Sequence, residues 1–346
     1  MRLTDLEHAE LSKYLELYDF HDDLRGKTVL VTGSKGIVGS GIIRWLMLLN
    51  ETRGTGVHII ASTRDVSDVP PYIEGHDAVV FCSFGDETAA CAGASVDYVV
   101  HCAAPTSNKV FKAYPVESFY AILDGTRSAL EVAREHTAVM VYLSSEEVYG
   151  TPDLSKPVSE GYVGAIDSLS TRSCYPLGKK AAELLCRSYS EEYGVDVRIV
   201  RPSVILGLWQ PYDSVKVEAE IMRCVVEDED LVMRSDGSTR KSVVYSLDAI
   251  SAVLTVLLRD ARSGVFNVTN PDTFCSVRER ALSVFGEFSP NVSIRFECDI
   301  LAEELGYLPM RSLLEDIGAI EKLGWRPHAD MSYICRIDLE RFGWRS

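Results

Sequence analysis

Two short stretches of this chain hold side chains able to exchange protons with a bound molecule. Tyr175-Pro176-Leu177-Gly178-Lys179 places a phenol and an ammonium four residues apart, on one face of a helix. A phenol with an ordinary pKa near ~10 is a poor base at neutral pH. A cation one turn away stabilises the phenolate and brings that pKa towards the working range. Ser144-Ser145-Glu146-Glu147-Val148-Tyr149-Gly150 adds hydroxyls and two carboxylates just past an apolar run at 139–144. Ser145 is placed to hydrogen-bond a substrate oxygen beside Tyr175, with Glu146 and Glu147 as acid and base. Either stretch alone is common in structural helices and solvated turns, so the chemistry depends on a scaffold that brings them together.

Apolar runs at 27–32, 57–61, 78–81, 96–103, 139–144, 195–200 and 264–268 read as strands. Helical spacing covers 37–49, 116–136 and 175–193. Strands alternating with helices at this spacing predict an α/β fold with a Rossmann-type doubly wound parallel sheet and a smaller C-terminal substrate lobe. The expected division puts 1–203 and 244–270 in the dinucleotide-binding domain, with 1–25 as an N-terminal helical extension. Residues 204–243 and 271–346 form the lobe.

The first strand runs into Thr32-Gly33-Ser34-Lys35-Gly36-Ile37-Val38-Gly39. The first glycine permits a tight turn, the second lets backbone N–H groups approach a pyrophosphate, and the third lets the helix pack close to the sheet. Because the loop follows a strand and opens a helix, Gly33, Lys35, Gly36, Ile37 and Gly39 are read as a dinucleotide site. The acid expected on an NAD ribose at the end of the second strand is missing from Ser62-Thr63-Arg64. Arg64 would hold a 2′-phosphate of NADP or lie along the adenine, and Asp86 would meet the adenine amino group. Lys179 can hold the nicotinamide ribose.

The charge balance is 35 basic against 51 acidic residues, −16, which argues against nucleic-acid or anionic-membrane partners. No apolar run approaches a membrane span. The nine cysteines are scattered, without C-x-x-C pairs or metal-like Cys/His spacing. They read as reduced thiols of a cytoplasmic protein with no metal site.

In order, TGSKGIVG, VDYVVHCAA, SSEEVYG, YPLGK and RPSVILG resemble the extended short-chain dehydrogenase/reductase family. More narrowly they are similar to its NAD-dependent nucleotide-sugar epimerase/dehydratase branch. The likeness runs from about residue 25 to 330 and includes Ser235-Asp236-Gly237-Ser238, Phe266-Asn267-Val268 and Lys322-Leu323-Gly324-Trp325-Arg326-Pro327. It implies that Tyr175 takes the proton of a sugar 4-hydroxyl while hydride passes from C4 to NAD. The 4-keto sugar then loses water, loses a 6-carboxylate as carbon dioxide, or takes the hydride back on its other face. It further implies a nucleotide-diphosphate sugar as partner, a homodimer built on the helices at 116–136 and 175–193, and cofactor or substrate contacts at Ala103, Thr106, Arg201, Arg240, Lys241 and Arg311.

Glu147 favours dehydratase or decarboxylase chemistry over plain epimerisation. Glu146, a longer stand-in for the dehydratase Asp, leans towards dehydration, while the pattern around 168–187 and 232–248 leans towards a decarboxylase-related group. A non-catalytic cofactor-sensing role is disfavoured because Tyr175 and Lys179 are both kept. Three departures stand out. Lys241 replaces an Arg, losing the bidentate fork. Gly178 replaces Ser or Ala inside a helix, at about 1 kcal/mol. Asp124 replaces an Asn, which would change the hydrogen bonding that supports the site.

Overall fold

Thr28–Thr32 forms β1, whose Val29, Leu30 and Val31 are fully buried between helical layers. Burying each such side chain stabilises the fold by roughly 1.5–3 kcal/mol. The computed structural model describes residues 3–73, 76–93, 95–152, 156–298 and 311–344. After β1 come β2 (His58–Thr63), β3 (Val79–Ser83), β4 (Tyr98–His101), β5 (Val139–Leu143) and β6 (Val197–Pro202). With Val265–Val268 they make one seven-stranded parallel sheet, in the order Val265–Val268, β6, β5, β4, β1, β2, β3. The strand order reverses between β1 and β4, and a crevice opens there at the carboxyl ends of the strands.

Helices Ile37–Arg53 and Ser246–Leu258 pack on one face of the sheet, and Pro115–His136 and Cys174–Tyr193 on the other. The last two helices run close together. A Cβ at Gly178 would stand 3.0 Å from Ile122 Cδ1 and 3.4 Å from Phe119 Cδ2. That contact is the physical reason for a glycine inside this helix. Asp124 lies on the exposed face of its helix, 3.9 Å from Arg127. The expected change in the site's hydrogen bonding is therefore absent.

A second sheet is built around Arg240–Tyr245. Val204–Leu206 pairs in parallel with Arg240–Tyr245, which also pairs with Asn270–Ser276 and Ser312–Leu313. Helices Val217–Glu227, Val277–Phe288 and Met331–Arg341 share a separate core around Ile221, Phe285 and Leu339.

The N-terminal helix Asp5–Leu17 opens with a Thr4/Glu7 capping box. It lies across both parts of the molecule. Glu7 accepts the Trp209 indole N–H at 2.6 Å, Tyr14 donates to Asp248 at 2.7 Å, and Tyr245 donates to Glu10 at 2.8 Å. Among the described residues no helix is long and apolar enough to cross a membrane.

Candidate active site

Gly33 turns the chain at φ +67°, and a Cβ there would strike the Ala103 backbone at 2.8 Å. Gly39 is tighter still, since its Cβ would lie 2.4 Å from the Gly33 carbonyl oxygen. The 17-residue helix starting at Ile37 is capped by Gly36 with no side-chain cap, so its first amides face the crevice without a capping oxygen. A compact turn, a bare helix N-terminus and the neighbouring end of β4 fit a dinucleotide pyrophosphate.

At the adenosine end, Arg64 and Asp86 are both exposed, just past β2 and β3. Lys35 is tied down by the Asp65 carbonyl at 2.9 Å and the Asp68 carboxylate at 2.8 Å. Ser62 does not face the crevice as a ribose ligand would. Its hydroxyl donates to buried Glu87 at 2.6 Å, and Glu87 also receives Ser128 and the Gly85 amide. Thr106 is exposed in the loop after β4.

Tyr175 and Lys179 enter on the first turns of helix Cys174–Tyr193, both buried. The Tyr175 ring stacks on Phe111 at 4.7 Å. Burial pushes its phenol up, the Glu147 carboxylate adds to this, and a hydrogen bond with Ser145 and the Arg172 charge pull the other way. The Lys179 ammonium donates to the Leu143 carbonyl at 2.6 Å, 5.9 Å from the Tyr175 ring centre. Burial brings the lysine itself down to about 8.

Ser145 caps a short 3-10 turn, Glu146–Tyr149, by accepting the Glu147 amide at 3.2 Å. Consecutive residues in that turn point apart, so the two glutamates have different surroundings. Glu147 stays beside Tyr175 and pairs with Arg172 at 3.1 Å. Glu146 turns into the protein and meets Arg311 at 2.6 Å, both side chains being almost fully buried. Glu315 lies against this pair, and burial together with the Glu146 charge pushes its carboxyl well above the usual carboxylate range. Parallel pairing of Ser312–Leu313 with Arg240–Tyr245, and the bridge from Val158 to Glu315, carry Arg311 and Glu315 to this place.

The remaining predicted substrate contacts separate. Lys241 faces inward, 2.8 Å from buried Glu218, which also holds Arg280 at 3.3 Å. Arg240, its neighbour on a strand, points the other way to surface Glu279 at 3.2 Å. Arg201 spends its donors within the protein, on Glu183, the Tyr149 hydroxyl and the Glu160 carbonyl. Phe111, Arg172, Lys216, Glu218 and Glu315 were not singled out from sequence. Only Arg172 had a local signal, as the cation three residues before Tyr175.

A seven-stranded parallel sheet with this glycine loop and a Ser-Tyr-Lys cluster defines a dinucleotide-dependent enzyme fold of the short-chain dehydrogenase type. The model of the NAD dependent epimerase/dehydratase family matches residues 29–269, and the chain belongs to that family. It is 29% identical over 299 residues to UDP-glucuronic acid decarboxylase 6 of Arabidopsis thaliana, covering 86% of this chain and 84% of the relative. The fold is shared with UDP-N-acetylglucosamine 4-epimerase from Methanobrevibacter ruminantium M1 at TM-score 0.77 and 21% identity, covering 92% of this chain and 98% of that one. It is shared equally with DesIV, a dTDP-glucose 4,6-dehydratase from Streptomyces venezuelae, at TM-score 0.75, 22% identity and the same coverages. The cofactor is NAD.

Proposed function

We propose that this protein is an NAD-dependent lyase that oxidises C4 of a nucleotide-diphosphate hexuronic acid and releases its C6 carboxylate as carbon dioxide. The observation that carries this reading is the Arg311–Glu146 pair. Dehydration across C5–C6 calls for a base at C5 and an acid for the departing hydroxyl. With Glu146 held by Arg311 and Glu315, Glu147 is the carboxylate left beside Tyr175. A β-keto acid loses carbon dioxide without an acid for a leaving hydroxyl, so one carboxylate suffices.

Bound NAD supplies the hydride acceptor at C4 and restores the hydride at the end of the cycle. Tyr175 takes the 4-hydroxyl proton, with Ser145 bonded to the same phenol. Buried Lys179, at the end of β5, is placed to hold the nicotinamide ribose and to bring positive charge to the developing phenolate. Phe111 keeps water from one face of the Tyr175 ring.

The test is turnover of UDP-glucuronic acid, UDP-glucose and dTDP-glucose by purified protein, with products weighed. Loss of carbon dioxide from the uronic acid alone is expected. Loss of water from a neutral hexose would replace this reading with a dehydratase, and an isomer of unchanged mass with an epimerase.

We further infer a homodimer through helices Pro115–His136 and Cys174–Tyr193. Their outer faces expose Val116, Tyr120, Leu184 and Tyr193. Sedimentation at micromolar concentration would show a single monomer species if that inference is wrong. Nine free thiols support a cytoplasmic setting.

A further inference from the structure

The floor of the site carries cationic donors that the protein does not satisfy. Arg311 is matched by Glu146, with Glu315 beside them, its carboxyl pushed well up by burial and the Glu146 charge. Arg172 is matched by Glu147, yet its Nε and Nη1 are buried without a hydrogen-bond partner, as is Glu147 Oε2. Lys216 makes no ammonium hydrogen bond or ion pair among the described residues. It feels the carboxylates of Glu218, Glu146 and Glu147 but bonds to none, and burial with the Lys241 charge lowers its pKa. Arg172 and Lys216 thus bring cationic donors that the protein's own groups leave unfilled.

Unpartnered buried donors cost about 1–3 kcal/mol each and persist where a ligand completes them. Two anionic features are available on a nucleotide-linked uronic acid, the diphosphate and the sugar carboxylate. A second cationic group, Lys241 and Arg280, surrounds the single carboxylate of Glu218 and has one charge in excess. The two groups thus match two anions. The group that holds Glu147, and through it Tyr175, is the one beside the reacting end of the sugar.

We propose that Arg172 and Lys216 are the residues that recognise the carboxylate of the sugar, and so set the preference for a uronic acid over a neutral hexose. This rests on the lyase reading above and assigns its specificity to two side chains. Arg172 acts in two directions, with one nitrogen fixing Glu147 and the others meeting the substrate. Lys216, the N-cap residue of helix Val217–Glu227, supplies the second cation.

The experiment uses NAD-loaded protein carrying Tyr175→Phe, which binds without turnover. Calorimetry with UDP-glucuronic acid, UDP-glucose and UDP gives three affinities for this background and for added Lys216→Met or Arg172→Met. A preference of roughly tenfold or more for the uronic acid over UDP-glucose is expected in the background. Each added change should erase most of it while UDP binding stays within about twofold. Equal loss for all three ligands would show that these cations serve the diphosphate and overturn the assignment. An undiminished preference in both variants would overturn it too. A background with no preference for the uronic acid instead sinks the lyase reading itself. Should Arg172→Met lose NAD, Lys216→Met decides alone, with Lys216→Arg expected to restore the preference.

Discussion

The guanidinium of Arg311 lies 2.6 Å from the carboxylate of Glu146, and neither side chain reaches solvent to any extent. Removing one partner of such a pair leaves a buried charge without compensation, at a cost of about 3–5 kcal/mol. Arg311→Met should lower stability by that order in denaturant unfolding. Glu146→Gln should cost less, because the amide oxygen still accepts from Arg311. Equal stability of Arg311→Met and the parent would show that the pair is not formed in solution.

The two adjacent glutamates should separate cleanly in kinetics. Glu147→Gln is expected to lower kcat by about 10²–10⁴, the usual loss when an acid–base group is removed. Glu146→Gln should keep most of kcat and act mainly on stability. The reverse ranking, measured by product formation, would place Glu146 at the substrate.

Lys179 makes a prediction in pH. Its folded pKa is about 8, below its ordinary 10.5. Below pH 8 both the folded and the unfolded states hold the proton, and the full cost of burying the charge is borne. Between about 8 and 10.5 the unfolded state holds more protons than the folded one, so stability rises with pH there. Cofactor-free protein should therefore gain stability across that window relative to Lys179→Met. Parallel pH profiles for the two in thermal unfolding would contradict it.

At the cofactor loop, Gly39→Ala sets a methyl 2.4 Å from the Gly33 carbonyl oxygen, a backbone atom that cannot swing aside. Loss of co-purifying NAD is expected, read from the nucleotide released on denaturation. Full retention would show that the loop and helix can part without loss of the site.

The sheet was legible because its inner strands are buried on both faces and read as apolar runs. The glycine loop was legible because its spacing reflects contacts within eight residues. Tyr175, Lys179 and Glu147 were found for the same local reason. What escaped was set by long-range pairing. Nothing near Glu146 in the chain announces Arg311, which is brought to it by a two-residue parallel strand 165 positions on. Arg201 was read as a substrate contact from the family resemblance, and its pairing with Glu183 on a neighbouring helix is a long-range contact that the local sequence does not show. Arg240 and Lys241 differ only in the face of the strand to which each belongs, which the local sequence did not resolve.

The indole of Trp209, bonded to Glu7, makes the N-terminal helix optically visible. Lifting that helix would place the ring in water and shift its emission to the red. Quenching by iodide, after subtraction of a Trp209→Phe control that keeps the other three tryptophans, would then count the fraction of molecules in which the strap is seated. A fusion partner grafted ahead of Thr4 would be felt first as a change of colour, before any change in turnover.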